Sequence, residues 1–152
     1  MSNQHIIDKH NMIKEITQIS AADIPSLQLL LKTLSPNCIF SENDIEKTIQ
    51  SPNCHLYGLY QENSLVGMYT LGIYHSPTGS KACLEDFVVH PDFQGKGYGR
   101  LMIEHLQEQI KKLQIKQLLF TSKPSRTAAN HLYVKMGFKC KETNVYIMNN
   151  KE

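Results

Sequence analysis

The sequence has no tryptophan and only four cysteines, and both scarcities limit what the protein can be. The cysteines stand far apart and form no C-x-x-C pair, which argues against a zinc site or a dithiol redox site; they are Cys38, Cys54, Cys83 and Cys140. We therefore expect free thiols, as in a reducing cytoplasm.

Long apolar runs and a strong charge of either sign are also missing. No segment approaches the roughly 20 apolar residues of a membrane-spanning helix, and residues 1–12 are polar, without the apolar core of a signal peptide. The formal net charge of +2 is too small to indicate a nucleic-acid partner. The sequence thus predicts a cytoplasmic protein that binds neither membrane nor nucleic acid.

The length of 152 residues indicates one domain, expected over residues 12–152, with residues 1–11 loosely attached. Apolar periodicity and turn residues predict helices after Ser20 and after Ser41, and two more at 99–113 and 125–136, the last capped by Ser125 and closed by Gly137. Strands are expected at 12–19, 55–61, 65–74, 82–90, 117–121, 138–141 and 144–148. This order predicts an α/β (α+β) fold with a mixed, mostly antiparallel central sheet flanked by helices.

The most informative segment runs from Asp86 to Arg100 and reads DFVVHPDFQGKGYGR. It predicts a buried strand, a short turn, and three glycines at alternate positions that open a helix. Glycine adopts unusual backbone angles and lets a ligand approach the main chain. The first turn of a helix adds unpaired N–H groups and the positive end of the helix dipole. The segment therefore predicts a phosphate-binding turn.

Two other glycine-rich signatures do not fit this segment. The dinucleotide pattern G-x-G-x-x-G fails because Arg100 holds its last glycine position, and no G-x-x-x-x-G-K pattern is present.

Two motifs give the chain a resemblance to the GCN5-related N-acetyltransferase (GNAT) superfamily. The first is Gln94-Gly95-Lys96-Gly97-Tyr98-Gly99, which is similar to that family's acetyl-CoA signature. The second is Leu132-Tyr133-Val134-Lys135-Met136-Gly137-Phe138, which is similar to its Leu-Tyr-x-x-x-Gly-Phe ending. The element order agrees from about Met12 to the C-terminus. The resemblance implies the GNAT fold, acetyl-CoA as co-substrate, no metal, and direct acetyl transfer to a primary amine of a small molecule or peptide.

The resemblance also implies which residues hold acetyl-CoA. The glycine turn would bind the pyrophosphate through Gln94, Gly95, Lys96, Gly97, Tyr98, Gly99 and Arg100. The backbone of the preceding strand would pair with the pantetheine arm at Phe87, Val88 and Val89, with the Val88 N–H at the thioester carbonyl. Asn130 would bond a pantetheine amide, although Arg126 stands where many relatives have an asparagine.

Tyr133 is the expected general acid, since a phenol can protonate the leaving thiolate. The general base is expected among Glu85 and Asp86, which adjoin the strand and point to opposite faces. Glu85 is favoured because it shares the parity of Phe87 and because relatives often use a strand glutamate.

Several alternatives remain open from the sequence. A Cys83 thioester route would compete with direct attack, and the same fold could serve as a non-catalytic acyl-CoA sensor or interaction module. The glycine turn could instead hold a nucleotide. The acceptor amine, other acyl groups and the choice between monomer and homodimer are not determined by the sequence.

Overall fold

The computed structural model describes residues 12–150. The chain divides into two compact units, the first reaching Thr121 and the second beginning at Ser122. The expectation that residues 1–11 are loosely attached lies outside the described residues.

The first unit contains five strands and three helices. The strands are β1 (Ile13–Glu15), β2 (Cys54–Gln61), β3 (Ser64–Ser76), β4 (Gly79–Val89) and β5 (Gln117–Leu119). The helices are α1 (Ile24–Leu34), α2 (Glu42–Gln50) and α3 (Tyr98–Lys112). The strands form one sheet in the order β1-β2-β3-β4-β5. All neighbours are antiparallel except β4 and β5, which are parallel. The predicted mixed, mostly antiparallel sheet is therefore confirmed.

Two tight hairpins bring the central strands together. Glu62 and Asn63 both have positive φ (48° and 66°), as in the two-residue turns that match the twist of a hairpin. The strand β3 is longer than expected: it continues to Ser76, which pairs with Gly79 of β4. Most of the loop predicted at residues 76–80 is thus strand, because a long pair of strands keeps its ladder hydrogen bonds up to the turn.

The sheet carries helices on both faces. One face packs on α1 through an apolar cluster of buried side chains, Ile16, Leu27, Leu30, Leu56, Leu65, Met68 and Val88. The opposite face packs on α3: Gly67 allows Met102 to approach closely, and the Tyr69 hydroxyl lies 2.7 Å from His105 Nδ1. Alternation along β3 explains this division, since residues 67 and 69 point away from residue 68.

Helix starts follow the sequence at α2 but not at α1. Ser41 Oγ accepts a hydrogen bond from the Asp44 N–H (3.2 Å), which confirms the predicted cap. The cap predicted at Ser20 is wrong, because α1 begins three residues later with Asp23 as its N-cap. The Asp23 carboxylate accepts instead from the Tyr60 hydroxyl (3.0 Å), so a tertiary contact replaces the local one.

The second unit consists of α4 (Thr127–Lys135) and a segment without regular structure. The N-cap position is Arg126 rather than the predicted Ser125, and no side chain of residues 12–150 caps this helix. The strands predicted at 138–141 and 144–148 are absent from the described chain. The later segment is strongly exposed, with Val145, Tyr146, Ile147 and Met148 between 70% and 89% accessible. β propensity alone makes no strand where no partner strand accepts the backbone hydrogen bonds.

Candidate active site

The second half of β4 has an open edge. Its parallel pairing with β5 runs only from Lys81/Gln117 to Cys83/Leu119, whereas β4 continues to Val89. Within the described residues, no strand pairs with this side of residues 84–89. This side of the strand is therefore the candidate edge for pairing with an extended ligand.

The hydrogen bonds to β3 decide which amides face the open edge. The His90 N–H donates to the Val66 carbonyl (2.8 Å), and the register continues through Gly67/Val89 and Met68/Val88. Since alternate residues of an antiparallel strand bond to the same neighbour, the Val88 N–H faces β3 and the Val89 N–H faces the open edge. We expected the Val88 N–H to point at the thioester carbonyl. Its orientation differs, because this N–H points toward β3 and belongs to the hydrogen-bond ladder between β3 and β4.

The glycine turn follows this strand directly. After a 3₁₀ turn at Pro91–Phe93, Gly95 and Gly97 have φ of 73° and 87°, a conformation that favours glycine. A Cβ added at either glycine would meet no atom within 4 Å among the described residues. Gly97 is the N-cap of α3, and no side chain caps this helix in the described structure. Open space and a first helical turn without a side-chain acceptor suit the pyrophosphate of acetyl-CoA.

Side chains tie the turn to the sheet. Gln94 Nε2 donates to the Val89 carbonyl (2.9 Å), and the Tyr98 hydroxyl donates to Gln61 Oε1 (3.0 Å). The two cations of the turn make no such bond to the sheet in the described structure. The Lys96 ammonium lies 5.4 Å from the centre of the Phe93 ring, and the Arg100 side chain pairs with Glu104 at 2.8 Å. The hydrogen bonds of Gln94 and Tyr98, and not the charges of Lys96 and Arg100, thus fix the backbone of the turn.

Glu85, the favoured base, is engaged with a neighbour. The Cys83 thiol donates to Glu85 Oε1 at 3.0 Å, and Glu85 is exposed. Burial, reinforced by this bond and the charge of Glu85, raises the pKa of Cys83 to about 11. A thiol that stays protonated at neutral pH is a poor nucleophile, which argues against the Cys83 thioester route.

Asp86 has a different setting on the same strand. Two residues of β4, Asp86 and Phe87, oppose the single Tyr69 of β3, and this bulge gives Asp86 a φ of 54°. Asp86 lines an open cavity of about 200 Å³ under α1 and α2. Asp86 is exposed, as Glu85 is, so water reaches its carboxylate, but the cavity walls partly desolvate it. This desolvation and the charge of Glu85 raise the pKa of Asp86, against a lowering by its hydrogen bond with Thr70.

The cavity also contains residues that the sequence did not single out for function. Ser41, Asp44 and Thr48 of the α2 region line it together with Thr70 of β3. Their spacing of three and four positions places Ser41, Asp44 and Thr48 on one side of α2, and this spacing is visible in the sequence.

Tyr133 and Asn130 lie on α4 in the second unit. Tyr133 is buried, and burial raises its pKa, while Arg126 acts in the opposite direction. The Phe138 N–H donates to the Tyr133 carbonyl (3.0 Å), and the two rings are 6.2 Å apart. With Gly137 at φ 92° this is a Schellman ending, which explains the Tyr-x-x-x-Gly-Phe spacing. Asn130 Nδ2 donates to the Lys123 carbonyl (2.9 Å) and so secures the segment before the helix.

Among residues 12–150, no three histidine, cysteine, aspartate or glutamate side chains are grouped as ligands for a metal ion. No helix of the described chain has the length and apolar character needed to cross a membrane.

Comparison with known proteins agrees with this geometry. Residues 24–138 match the Acetyltransferase (GNAT) family, so the chain belongs to that family. A probable spermine N(1)-acetyltransferase of Bacillus subtilis subsp. natto is 27% identical over 135 residues, which cover 84% of this chain and 86% of the relative.

Two further proteins extend the comparison. An uncharacterized N-acetyltransferase, ycf52, of Pyropia yezoensis is 35% identical over 63 residues, or 41% of this chain, and the match spans only 34% of that relative. The structure of a putative acetyltransferase from Agrobacterium tumefaciens superposes with a TM-score of 0.76 at 19% identity, covering 90% of this chain and 99% of the other. At this identity the likeness concerns the fold.

Proposed function

We propose that the protein is an N-acetyltransferase that moves the acetyl group of acetyl-CoA directly to a primary amine. The observation that carries this proposal is the glycine turn at the start of α3, joined to the open edge of β4. The turn offers backbone N–H groups to the pyrophosphate, and the open edge offers an extended backbone to the pantetheine arm.

The residues of the first unit have distinct parts in this proposal. Gln94, Gly95, Lys96, Gly97, Tyr98, Gly99 and Arg100 bind the pyrophosphate, chiefly through the main chain. Phe87, Val88 and Val89 form the open strand, on which the Val89 N–H faces the ligand, the Val89 carbonyl accepts from Gln94 Nε2, and Val88 packs in the core. An N–H directed at the thioester carbonyl stabilises the developing oxyanion, a contact whose removal elsewhere costs about 3 kcal/mol.

The second unit supplies the proposed acid. Tyr133 donates a proton to the leaving thiolate, an assignment that rests on its motif and on a phenol that stays protonated through neutral pH. Asn130 is the proposed partner of a pantetheine amide through its side-chain oxygen, since its Nδ2 already bonds Lys123.

The acceptor is a small-molecule or peptide amine. The Bacillus relative named for spermine supports an aliphatic amine, and it aligns over most of both chains.

Calorimetry with the purified chain tests the co-substrate. We expect acetyl-CoA to bind and ATP and NAD not to bind. Gly97→Ala should weaken acetyl-CoA binding about tenfold or more, since the methyl group enters the open space of the turn and φ 87° disfavours alanine.

Gly72→Ala is the matched control, because its Cβ also meets no atom within 4 Å but lies on β3 with ordinary φ. Its affinity for acetyl-CoA should equal that of the unchanged protein. Tight ATP binding without acetyl-CoA binding contradicts the proposal, and binding of acetyl-CoA without thiol release on any amine would favour the sensor.

A further inference from the structure

The cavity under α1 and α2 has walls of two kinds. Leu27, Leu31, Ile45, Leu56 and Met68 provide apolar surface. Two acidic residues from different elements also line the cavity, Asp86 from β4 and Asp44 from α2, and the side chain of Asp44 is mostly exposed. None of the described lining residues is a lysine or an arginine. Its volume of about 200 Å³ is several times the roughly 30 Å³ share of one water molecule, enough for a short alkyl chain.

We propose that this cavity is the acceptor site, that it takes an aliphatic diamine or a longer polyamine, and that Asp86 receives the proton of the reacting ammonium while Asp44 binds the second ammonium. The proposal rests on the proposed acetyl transfer and adds to it the substrate class and the base. Methylene groups contact the apolar wall, and each carboxylate meets one positive charge.

Asp86 is placed where a base is needed. It directly precedes Phe87, the first residue of the open-edge segment proposed to hold the thioester arm. The bulge gives it a left-handed backbone conformation, which is strained for a non-glycine residue, and such strain is concentrated at functional sites. Glu85 does not line the cavity and holds the Cys83 thiol instead.

The groups around Asp86 come from several elements. Glu85 adjoins it on β4, the Thr70 hydroxyl bonds it from β3, and Asp44 and Cys38 line the same cavity from the helical side. Lys47, the cation beside Asp44, is 3.9 Å from its carboxylate, and both side chains are mostly exposed, so their pair is weak. A ligand ammonium can therefore compete for Asp44.

The reaction balances with these groups. Asp86 takes a proton from the ammonium, and the neutral nitrogen attacks the thioester carbonyl carbon. As the C–N bond forms, the C–S bond breaks and its electron pair leaves on sulfur, which receives a proton from Tyr133. The second proton lost by the nitrogen restores Tyr133, and Asp86 releases its proton to water. The products are the acetamide, the thiol and one proton.

Binding of 1,4-diaminobutane and of butylamine to the full chain separates this proposal from the acetyl transfer itself. We expect the diamine to bind at least about tenfold more tightly by calorimetry, with or without CoA, and Asp44→Asn to remove most of that difference. Equal binding of the two amines would overturn the assignment of Asp44. Absent acetyl-CoA binding with intact diamine binding would overturn the proposed function alone.

Turnover distinguishes the two carboxylates of β4. Asp86→Asn should lower kcat about a hundredfold or more and remove the acidic limb of the pH profile. Glu85→Gln should keep the acidic limb but shift it to lower pH, because the charge of Glu85 raises the pKa of Asp86. The reverse result would return the base to Glu85.

Thermal unfolding gives a readout independent of catalysis. Since the pKa of Asp86 is raised in the folded state, its ionised form opposes folding above the unfolded pKa. Asp86→Asn should therefore raise Tm at pH 7, and the gain should vanish as the pH falls below about 4. A lower Tm at pH 7 would indicate a structural carboxylate and overturn the proposal.

Discussion

At the scale of single residues, two adjacent carboxylates on β4 have different surroundings. Glu85 accepts from the Cys83 thiol, while Asp86 bonds with Thr70 and lines the cavity. A simple alternation of faces favoured Glu85 from the sequence. The bulge opposite Tyr69 interrupts that alternation, and our proposal of Asp86 as the base rests on this tertiary feature.

Tyr133 allows a prediction at the same scale. Tyr133→Phe should lower kcat about a hundredfold, because the leaving thiolate loses its proton donor, and should leave acetyl-CoA affinity within about twofold. Steady-state thiol release and calorimetry measure the two quantities.

Tyr146→Phe is the matched control, since Tyr146 is 88% exposed. Its kinetics should equal those of the unchanged protein. Full turnover by Tyr133→Phe would remove Tyr133 from the mechanism.

At the scale of elements, two helices end in the same way with different residues. The helix α4 closes with Gly137 at φ 92°, whereas α3 closes with Gln114 at φ 54°. At α3 the Ile115 N–H donates to the Ile110 carbonyl and the Gln114 N–H to the Lys111 carbonyl, the Schellman pattern. The non-glycine residue at this position carries backbone strain.

Gln114→Gly should therefore raise the free energy of unfolding by about 0.5–1 kcal/mol. This net gain is the backbone strain that glycine relieves minus the conformational entropy that glycine loses on folding. Gly137→Ala should lower it by about 1–2 kcal/mol, since its Cβ meets no atom within 4 Å in the described structure and only the backbone angle opposes it. Urea unfolding measures both changes. A destabilising Gln114→Gly would show that the side chain contributes more than the strain costs.

At the scale of the whole molecule, order is concentrated in the central strands. Tyr69, Leu71 and Ala82 have no accessible surface, while residues 141–150 are exposed and form no helix or strand. We expect amide hydrogen exchange to be slowest in β3, which is paired with a strand on both sides, and fast throughout 141–150.

Mass spectrometry of exchanged peptides measures this contrast. Slow exchange at 144–148 would contradict it and would mean that the segment pairs as the strand that its alternating apolar residues predict.

Much of the fold was predictable because its signals are local. The hairpin at Glu62–Asn63, the cap at Ser41 and the glycine turn each depend on residues adjacent in the chain. The predictions failed where more than the local sequence decides the outcome: Asp23 replaces Ser20 at the start of α1, and residues 138–150 form no strand in the described structure.

The amino-acid order by itself determined the family motifs, the succession of elements as far as α4 and the position of the glycine turn, because these follow from backbone preferences over a few residues. Only the tertiary structure decided which amides of β4 face its open edge, and that Asp86 rather than Glu85 joins Asp44 around one cavity. These features depend on strand register and on a single inserted residue, and a shift of one position reverses the face of every side chain beyond it.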